Sequence, residues 1–362
     1  MQIKCDVCGK IFKFPFEINT HKHVGKELNG VPVNFWTTLN DKFDLIIDDN
    51  MKGVFRYKDL YKKTKKNISL DEGNTPLIKV LDNLYIKDES VNPTGSFKDR
   101  GMPFLMNEVL NHNKSSIAIC STGNAAISLI KYAKLYGIES IVFLPQDIDF
   151  KKKNELTGAT QIVYSDDIIK CFEDFMIYCD NNPDIFNGFL STNISYMIGL
   201  ETISYEIFEQ LNFNVPNYIF IPCASGGNVV SQYNAWKKLY DNNMIDKMPK
   251  FVIVQIDGGN PIEQGYNKKN SESLFVINNP VPSKTILSTD TCFNYFKIYE
   301  IIDSGYGFTV SIDDKDIDNI AKTFKDKYDY TSLAVLAAYE KYKKNMRVNE
   351  ISVAIITAKN RK

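Results

Sequence analysis

Lys98 lies in the ten-residue motif at positions 92–101 (NPTGSFKDRG), between a predicted strand and a predicted helix. Loops that connect a strand to a helix are where α/β sheets contact their ligands. A lysine amine can add to a carbonyl group and form an imine, so Lys98 is a candidate for covalent catalysis. An isolated loop lysine is more often a solvated surface charge, and the chemical interpretation therefore depends on what lies beside it.

Two other short loops also connect a strand to a helix. Residues 121–124 (STGN) follow one predicted strand, and residues 224–228 (ASGGN) follow another. Such loops place backbone N–H groups and the positive end of a helix dipole at one point, which suits an anion. One loop can hold a cofactor phosphate and the other a substrate carboxylate. Ser and Asn are also ordinary helix caps, a role that is compatible with binding.

A lysine close to a phosphate-binding loop and a carboxylate-binding loop is the set of groups that a pyridoxal 5'-phosphate (PLP) enzyme requires. The ε-amine forms the imine with the cofactor, and the cofactor ring accepts electrons from the bond that breaks. These three loops therefore predict a PLP enzyme.

The same residues resemble the fold-type II PLP-dependent enzymes, the group of the tryptophan synthase β chain and cysteine synthase, and most closely threonine synthase. The resemblance covers nearly the whole chain. Besides the three loops, it includes residues 53–57 (GVFRY), 71–77 (DEGNTPL) and 155–159 (ELTGA). The motif around Lys98 is highly specific, whereas a glycine-rich loop alone is weak evidence.

The resemblance implies a role for each residue of the three loops. Lys98 would be the Schiff-base lysine and the general acid and base that moves protons on the substrate carbons, and Phe97 flanks it. Asn124 would hydrogen-bond the ring hydroxyl of the cofactor, and Ser121 and Thr122 would hold the substrate carboxylate. The cofactor phosphate would bind the loop of Ala224, Ser225, Gly226, Gly227 and Asn228. The family usually has glycine where Ala224 stands, and a methyl group fits there if the φ angle of Ala224 is negative.

Thr357 ends the last predicted strand and corresponds to the hydroxyl residue that faces the pyridine nitrogen in threonine synthase. A neutral hydroxyl leaves that nitrogen largely unprotonated and so limits the electron sink. This favours elimination or replacement at Cβ or Cγ over transamination. The alternative is a threonine that merely ends a strand.

The substrate loop departs from threonine synthase at one position that carries charge. In the family, an arginine at the start of the long helix faces the substrate phosphate. Aligned on Gly199, this chain has Tyr196 there and Glu201 in place of a lysine. Because guanidinium groups bind phosphate strongly, we expect O-phosphohomoserine not to be an efficient substrate. Tyr196 offers one neutral donor in place of the arginine. Asn193 and Ser195 beside it would bind a less charged group of a serine- or cysteine-like amino acid, unless a cation among residues 151–153 (KKK) replaces the arginine.

The N-terminal residues Cys5, Cys8, His21 and His23 are candidate metal ligands. Their spacing resembles a C2H2 zinc finger or a zinc ribbon, although His-x-His is shorter than the three to five residues usual between finger histidines. Two interpretations stay open: a structural zinc site and a metal-free arm. Neither is catalytic, because nothing supplies an open coordination position with a base beside it.

Short apolar runs alternate with helix-length segments from residue 69 onward, which is typical of a parallel α/β sheet. We expect a fold-type II PLP enzyme with two three-layer α/β/α domains, mostly parallel sheets and a small N-terminal Cys/His appendage. Residues 265–300 show little pattern and predict irregular structure. The expected division is a zinc-ribbon or finger-like appendage at 1–30, a connecting segment at 31–70, a large PLP-binding domain at 71–114 and 205–362, and a small domain at 115–204.

Composition argues against several other classes. The 43 Lys and Arg against 44 Asp and Glu give a net charge of −1, so no global field attracts nucleic acid or an anionic membrane. No apolar run reaches the ~18 residues of a membrane helix, and we find no signal peptide. Seven cysteines among 362 residues are far below the density of a secreted disulfide scaffold. We therefore expect a cytoplasmic protein with neither a membrane nor a nucleic-acid partner, and the family resemblance implies a homodimer.

The leading hypothesis is a PLP-dependent carbon–oxygen lyase of threonine synthase type that forms a Schiff base at Lys98 and acts at Cβ or Cγ of a small amino acid. Authentic threonine synthase acting on O-phosphohomoserine is an alternative, as is a β-replacing synthase of the cysteine or cysteate type. Two hypotheses from other classes are a zinc-finger nucleic-acid binder and a non-catalytic PLP-fold protein. The net charge and the intact Lys98 motif disfavour the nucleic-acid binder.

Overall fold

The structure, a computed structural model, describes most of the chain from residue 64 onward and shorter segments before it. The described residues are 2–5, 8–13, 21, 27–28, 31–32, 36–39, 43–57, 60, 64–324 and 326–361. Within these residues, the strands form sheets of six, four, three and two strands. The six-stranded and four-stranded sheets carry the residues of the predicted site.

The six-stranded sheet has the order β14-β13-β12-β15-β7-β6. All neighbouring strands are parallel except β6 and β7, which are antiparallel. Strands β13 and β15 are buried almost throughout, as expected for apolar runs in a parallel sheet that is covered on both faces. The strands are β6 (Leu77–Leu81), β7 (Leu84–Asp88), β12 (Tyr218–Pro222), β13 (Lys250–Ile256), β14 (Gly307–Ile312) and β15 (Ser352–Ile356).

Helices cover both faces of this sheet. On one face, α5, α6 and α8 pack around Trp236, Phe251 and Tyr295. On the other face, α9 and α10 pack around Phe220 and Tyr339. The helices of this part are α5 (Ile194–Gln210), α6 (Gly227–Asp241), α7 (Pro261–Asn267), α8 (Tyr295–Asp303), α9 (Asp314–Phe324) and α10 (Tyr330–Tyr342).

The four-stranded sheet has the order β10-β9-β8-β11, and all of its strands are parallel. Helices α1 and α2 pack against one face, and α4 packs against the other around Phe143 and Phe175. This sheet with its helices is therefore a second three-layer unit. Its elements are α1 (Met102–Asn111), β8 (Ser116–Cys120), α2 (Asn124–Tyr136), β9 (Glu139–Pro145), α3 (Phe150–Lys153), β10 (Gln161–Ser165), α4 (Ile168–Asn181) and β11 (Phe186–Asn187).

Local signals explain where several of these helices begin and end. Asp167 accepts the backbone N–H of Lys170 at the start of α4, at 2.8 Å. Asp329 accepts the N–H of Ser332 in the same way at the start of α10, at 2.7 Å. Gly137 ends α2 with a φ of +71°, a left-handed conformation that favours glycine. Each is a capping arrangement that satisfies backbone groups left open at a helix end.

The fold class predicted from the sequence is confirmed: two three-layer α/β/α units have mostly parallel sheets. The prediction of irregular structure over residues 265–300 is wrong in part. Helix α7 enters this region, and α8 begins inside it at Tyr295. Both helices are short, and the Asn and Pro residues between them obscure their apolar pattern.

The described N-terminal residues form small antiparallel sheets. Strands β1 (Gln2–Cys5), β2 (Ile11–Lys13) and β5 (Trp36–Leu39) form one sheet, and β3 (Glu27–Leu28) pairs with β4 (Val31–Pro32). Strand β5 pairs with β1, so this small structure uses residues on both sides of position 30. In the described part of the chain, no helix has the length and apolar character needed to cross a bilayer.

Candidate active site

Three neighbouring strands bring the predicted residues together. Because β15 lies between β12 and β7, the ends of these strands are side by side. Strand β12 leads to residues 224–228, β15 leads to Thr357, and β7 leads through a short turn to the Lys98 motif. Residues 121–124 approach from the other sheet, and Ser128 of the helix that follows them donates to Asp99, the neighbour of Lys98. The sequence-predicted loops therefore meet at one edge of the molecule.

Lys98 lies in a 3₁₀ turn, Phe97–Gly101, that β15 holds in place. The backbone N–H of Phe97 donates to the carbonyl of Thr357 at 2.9 Å. The Lys98 amine lies 4.5 Å from the centre of the Phe97 ring and 5.9 Å from that of Tyr196, and no carboxylate among the described residues pairs with it. Desolvation lowers the pKa of Lys98 to about 8. About a tenth of this amine is therefore neutral, and thus nucleophilic, at pH 7, far more than for a solvated lysine.

Hydrogen bonds and buried ion pairs fix Asp99 and Arg100, the two residues that follow Lys98. The Asp99 carboxylate accepts the backbone N–H and the hydroxyl of Thr94, which closes the motif on itself. The Arg100 guanidinium is fully buried and pairs with Glu89 and Glu206. Sequence reasoning missed these roles, although two charged residues directly after the lysine were a usable signal. They give Lys98 a rigid support.

The loop at residues 224–228 has the geometry of an anion site. Gly226 has a φ of +86°, and Asn294 donates its side-chain amide to the carbonyl of Ser225 at 2.8 Å. In the part of the chain that the structure describes, the backbone N–H groups of this loop have no protein acceptor. They lie at the start of the 15-residue helix α6. Ala224 lies outside the left-handed region, so its methyl group is tolerated as expected.

The loop at residues 121–124 combines a cap with free donors. The Ser121 hydroxyl accepts the backbone N–H groups of Gly123 and Ala126, at 3.0 and 3.2 Å. Ser121 is buried, whereas Thr122 is exposed. The backbone N–H groups of Thr122 and Asn124 face no acceptor among the described residues. The capping role of Ser121 is thus real, and it leaves two donors for a carboxylate.

Lys152, one of the three lysines predicted as possible replacements for the family arginine, contacts this loop. The amine of Lys152, in α3, lies 3.5 Å from the carbonyl oxygen of Thr122. A Cβ built at Gly123 would lie 2.4 Å from the side chain of Lys152, and Gly123 has a φ of +129°. The absence of a side chain at Gly123 therefore allows the stem of Lys152 to pack against the loop.

The start of α5 holds the other residues predicted to contact substrate. Asn193 caps the helix by accepting the N–H of Tyr196 at 2.8 Å, and its amide donates to Glu108 at 2.9 Å. Tyr196 is buried, and burial raises the pKa of its hydroxyl. Among the described residues, the hydroxyls of Thr192, Ser195 and Tyr196 are buried without hydrogen-bond partners. Sequence reasoning missed Thr192, whereas Asn193, Ser195 and Tyr196 as substrate contacts stay predictions.

Thr357 is oriented by a serine that sequence reasoning did not find. The Ser332 hydroxyl oxygen accepts the N–H groups of Thr357 and Ala358, at 3.0 and 2.9 Å. With both lone pairs used, this hydroxyl can only donate, and the Thr357 hydroxyl oxygen lies 2.9 Å away. The Ser332 proton has two acceptors within reach, the Thr357 hydroxyl at 2.9 Å and the carbonyl of Ala358 at 3.3 Å. With either acceptor, Thr357 does not donate to Ser332 and its own O–H is free to donate elsewhere. Such a donor suits an unprotonated ring nitrogen.

Three of the four predicted metal ligands fall within the described residues. The sulfur atoms of Cys5 and Cys8 and a ring nitrogen of His21 lie within 4.8 Å of one another. The sulfur of Cys8 lies 3.4 Å from Nε2 of His21. His23, the fourth predicted ligand, lies outside the described residues. The structure thus brings together the thiols and one imidazole that the sequence spacing suggested.

The match that decides the family covers the whole of this site. Residues 68–358 match the family of pyridoxal-phosphate dependent enzymes. The chain belongs to this family. PLP is therefore its cofactor, and the prediction of a PLP enzyme is confirmed.

Within the family, the protein is similar to threonine synthases. It is 29% identical over 285 residues to the threonine synthase of Methanocaldococcus jannaschii, covering 73% of this chain and 68% of that one. It is 28% identical over 275 residues to the threonine synthase of Methanosarcina acetivorans, covering 73% and 67%. The predicted resemblance to threonine synthase is therefore confirmed.

Solved structures of the same fold include a fungal L-serine ammonia-lyase from Rhizomucor miehei. It matches with a TM-score of 0.66 and 19% identity over 79% of this chain and 94% of that one. A serine racemase from Dictyostelium discoideum matches with a TM-score of 0.63 and 19% identity over 85% and 98%. These similarities establish the fold-type II architecture.

The residues of the site fit PLP. A phosphate requires several donors, and the loop at residues 224–228 offers N–H groups that lack protein acceptors at the start of a long helix. Asn228 adds a buried Nδ2 donor that has no acceptor among the described residues, while its Oδ1 accepts from Gln232 at 3.0 Å. The turn that holds Lys98 is hydrogen-bonded to Thr357 through the N–H of Phe97. Lys98 would serve the aldehyde of the cofactor and the O–H of Thr357 its ring nitrogen. When bound, PLP supplies the electron sink for bond cleavage next to the amino group.

Gly226→Val is expected to weaken PLP binding tenfold or more. A Cβ at Gly226 would lie 2.6 to 2.9 Å from Ile298, Asn294 and Cys292, so a larger residue must displace this loop, which is predicted to bind the phosphate. Equilibrium titration of the apoprotein with PLP measures the effect. Gly305→Ala is the matched control, because Gly305 also has a positive φ of +79° but open space around its Cβ. Equal PLP affinities for wild type and Gly226→Val would contradict the assignment of this loop.

Proposed function

We propose that the protein is a PLP-dependent carbon–oxygen lyase that catalyses elimination or replacement at Cβ or Cγ of a small amino acid, with Lys98 as the Schiff-base lysine. The observation that carries this proposal is the Lys98 amine, unpaired among the described residues and next to two loops with free N–H donors. Similarity to threonine synthases supports the reaction class.

Lys98 is also the proposed general acid and base. Its pKa of about 8 lies close to physiological pH, so the amine can both take and return a proton. Asp99 and Arg100 hold the backbone directly after Lys98 in place, which restricts the positions that the Lys98 amine can reach. The backbone N–H groups of Thr122 and Asn124 are the proposed donors to the substrate carboxylate. Ser121 shapes this loop through its capping bonds.

The proposed preference for elimination over transamination depends on Thr357. Its O–H is left free to donate, because the Ser332 oxygen already accepts the backbone N–H groups of Thr357 and Ala358. A donor at this position favours the unprotonated ring nitrogen, since a protonated nitrogen has no lone pair to accept it. The electron sink is correspondingly weaker, which disfavours the longer-lived carbanion that transamination needs.

Two substrate classes are candidates, and they differ in the leaving group that the start of α5 would bind. The buried hydroxyls of Thr192, Ser195 and Tyr196 are neutral and favour a substrate with a less charged leaving group. The second candidate function is authentic threonine synthase acting on O-phosphohomoserine. Lys152 favours this second candidate, because it places a cation 3.5 Å from the carbonyl of Thr122. We retain the neutral-pocket interpretation as the first, since a single lysine binds phosphate less specifically than an arginine fork.

We expect kcat/KM for phosphate release from O-phosphohomoserine to lie well below the ~10⁴ M⁻¹s⁻¹ of a working enzyme. Steady-state assay against O-phosphohomoserine, L-serine and O-acetyl-L-serine measures the preference. A value at or above ~10⁴ M⁻¹s⁻¹ that falls at least tenfold in Lys152→Ala, but not in the exposed neighbour Lys151→Ala, would establish the second candidate instead.

We propose that Cys5, Cys8, His21 and His23 hold a structural zinc ion. The two thiols and the imidazole of His21 are close enough to share one ion. Zinc prefers four sulfur and nitrogen ligands in tetrahedral geometry, which leaves one position for His23. The site would fix the small N-terminal sheet and has no catalytic part.

The purified protein is expected to contain about one zinc per chain, and Cys5→Ser/Cys8→Ser is expected to lose it. Metal analysis of protein prepared without chelator measures the content. The wild-type chain treated with a chelator should lose the metal and gain reactive thiols at positions 5 and 8, while PLP binding stays unchanged. Absence of zinc from the wild-type protein would support the metal-free arm.

The division into a large domain at residues 71–114 and 205–362 and a small domain at 115–204 remains part of the proposal. We also propose that the protein functions as a homodimer in the cytoplasm, with an amino acid as its substrate. The family resemblance supports the homodimer, and the near-neutral charge of −1 fits the absence of a nucleic-acid partner.

A further inference from the structure

Arg361 is a buried cation that joins the two halves of the site. Its side chain is 4% exposed. Its Nε donates to Oδ1 of Asn124 at 3.1 Å, and its Nη2 donates to the carbonyl of Thr94 at 2.9 Å. Its Nη1 lies 2.5 Å from a carboxylate oxygen of Glu155. One guanidinium therefore contacts the Lys98 motif through Thr94 and the other α/β unit through Asn124 and Glu155.

The backbone before Arg361 fixes its position. Ala358 forms an antiparallel bridge with Ser96, and the N–H of Lys359 donates to the carbonyl of Gly95 at 2.9 Å. The stem of Lys359 packs over Gly95, where a Cβ would lie 2.4 Å from it. Residues 358–361 thus lie along the Lys98 motif, and Arg361 extends from it toward Asn124.

We propose that Arg361 is a positioning residue that sets the orientation of the Asn124 amide toward PLP. An asparagine amide can rotate by 180° and exchange its acceptor oxygen for its donor nitrogen. Arginine has donors only, so Oδ1 must face Arg361 and Nδ2 must face away. Among the described residues, no acceptor contacts Nδ2 of Asn124. This amide is therefore held as a donor for the ring hydroxyl of PLP, an inference that rests on the cofactor contact proposed for Asn124.

The orientation has a spectroscopic consequence that a merely structural arginine would not have. A hydrogen bond donated to the ring hydroxyl oxygen stabilises its deprotonated form. Loss of the oriented amide therefore raises the pH at which the visible absorbance band of the PLP-loaded protein titrates. Glu155 contributes little, because it is 37% exposed and a partly solvated ion pair is weak.

A double-mutant cycle on PLP binding tests the proposal. The apoproteins of wild type, Arg361→Met, Asn124→Ala and the double variant are titrated with PLP, and the absorbance band of each loaded protein is titrated with pH. We expect each single variant to raise the Kd for PLP about tenfold and to shift the midpoint upward. The double variant should match Asn124→Ala alone, because the proposed effect of Arg361 on PLP passes through Asn124 and the bond to the Thr94 carbonyl serves the backbone alone.

Two further variants keep the test decisive. Glu155→Gln leaves the hydrogen bond between Arg361 and Asn124 in place, so the Kd for PLP should stay within about threefold of wild type. Arg361→Lys keeps one donor toward Asn124 and should restore most of the affinity and the midpoint lost in Arg361→Met. Thermal melting of the apoproteins checks folding. If Arg361→Met does not fold, Arg361→Gln replaces it in the cycle, because an amide that can both donate and accept no longer fixes the orientation of Asn124.

Three outcomes would overturn the proposal: effects that multiply in the double variant, a wild-type Kd and midpoint in Arg361→Met, or no rescue by lysine in a folded protein. These measurements use PLP without substrate. If the PLP and pH titrations give the expected results but the protein shows no turnover, the proposed lyase activity alone is contradicted. A folded wild-type chain that binds no PLP would overturn both.

Discussion

Lys98→Ala is expected to remove the borohydride-reducible absorbance band of the PLP-loaded protein and to lower turnover roughly 10³-fold or more. The variant loses both the amine that forms the Schiff base and the proposed acid and base. It should stay folded. The Lys98 amine forms no ion pair with a described residue, so its removal leaves no buried carboxylate without a counter-charge. Absorbance spectra before and after borohydride, with a steady-state assay, measure both effects.

Lys98→Arg is the matched control, because it keeps a positive charge beside Phe97 and Tyr196 but cannot form an imine. It should behave like Lys98→Ala in both measurements. A reducible band or near-normal turnover in either variant would show that another amine carries the chemistry.

The rate of covalent PLP uptake adds a pH signature to this prediction. Only the neutral amine attacks an aldehyde, and the pKa of Lys98 is lowered to about 8 by desolvation. The uptake rate of the wild-type apoprotein should therefore rise with pH up to about 8 and then level off. A rate that continues to rise to pH 10 would indicate an ordinary, solvated lysine.

The parts of the site that lie within one loop could be predicted from the sequence. The loops at 121–124 and 224–228 begin within two positions of a strand end, and the Lys98 motif begins four positions after the end of β7. Adjacent parallel strands then bring these ends together, whichever residues fill the core. The fold class follows from the same alternation of strands and helices.

The supporting residues could not be predicted, because they contact the site from distant positions in the chain. Ser332 and Arg361 reach Thr357 and Asn124 across 25 and 237 positions. Asn294 reaches Ser225 across 69. Each is a common polar residue in a segment without a motif, and its role depends on tertiary packing that one sequence does not encode locally.

The charged residues behind Lys98 form a buried cluster with Glu206 at its centre. Glu206 accepts the N–H of Asn74 at 2.6 Å and the amine of Lys87 at 2.8 Å. Both terminal nitrogens of Arg100 donate to it, at 2.8 and 2.7 Å. The side chains of Lys87, Arg100 and Glu206 are at most 1% exposed. The cluster joins α5, β7 and the Lys98 motif without access to water.

Glu206→Gln is expected to lower the free energy of unfolding by about 3–5 kcal/mol, since it leaves two buried cations with one counter-charge fewer. Urea unfolding followed by circular dichroism measures the change. Asp318→Asn is the control, because its ion pair with Lys284 is about half exposed on both sides and should contribute less than about 1 kcal/mol. Glu206→Gln should also bind PLP more weakly, because Glu206 holds Arg100, which lies two residues after Lys98.

The difference between wild type and Glu206→Gln is expected to depend on pH. Burial alone would raise the pKa of Glu206, but the charges and hydrogen bonds of Arg100 and Lys87 outweigh burial and hold it below its ordinary value. A carboxyl with a lowered pKa in the fold stabilises the protein above its unfolded pKa, about 4.3 for Glu, and loses that contribution as the pH falls. The difference in the free energy of unfolding should therefore be constant from pH 7 to 5 and shrink below about pH 4. A difference under about 1 kcal/mol at pH 7, or one unchanged down to pH 3, would mean that the cluster does not stabilise the fold through the charge of Glu206.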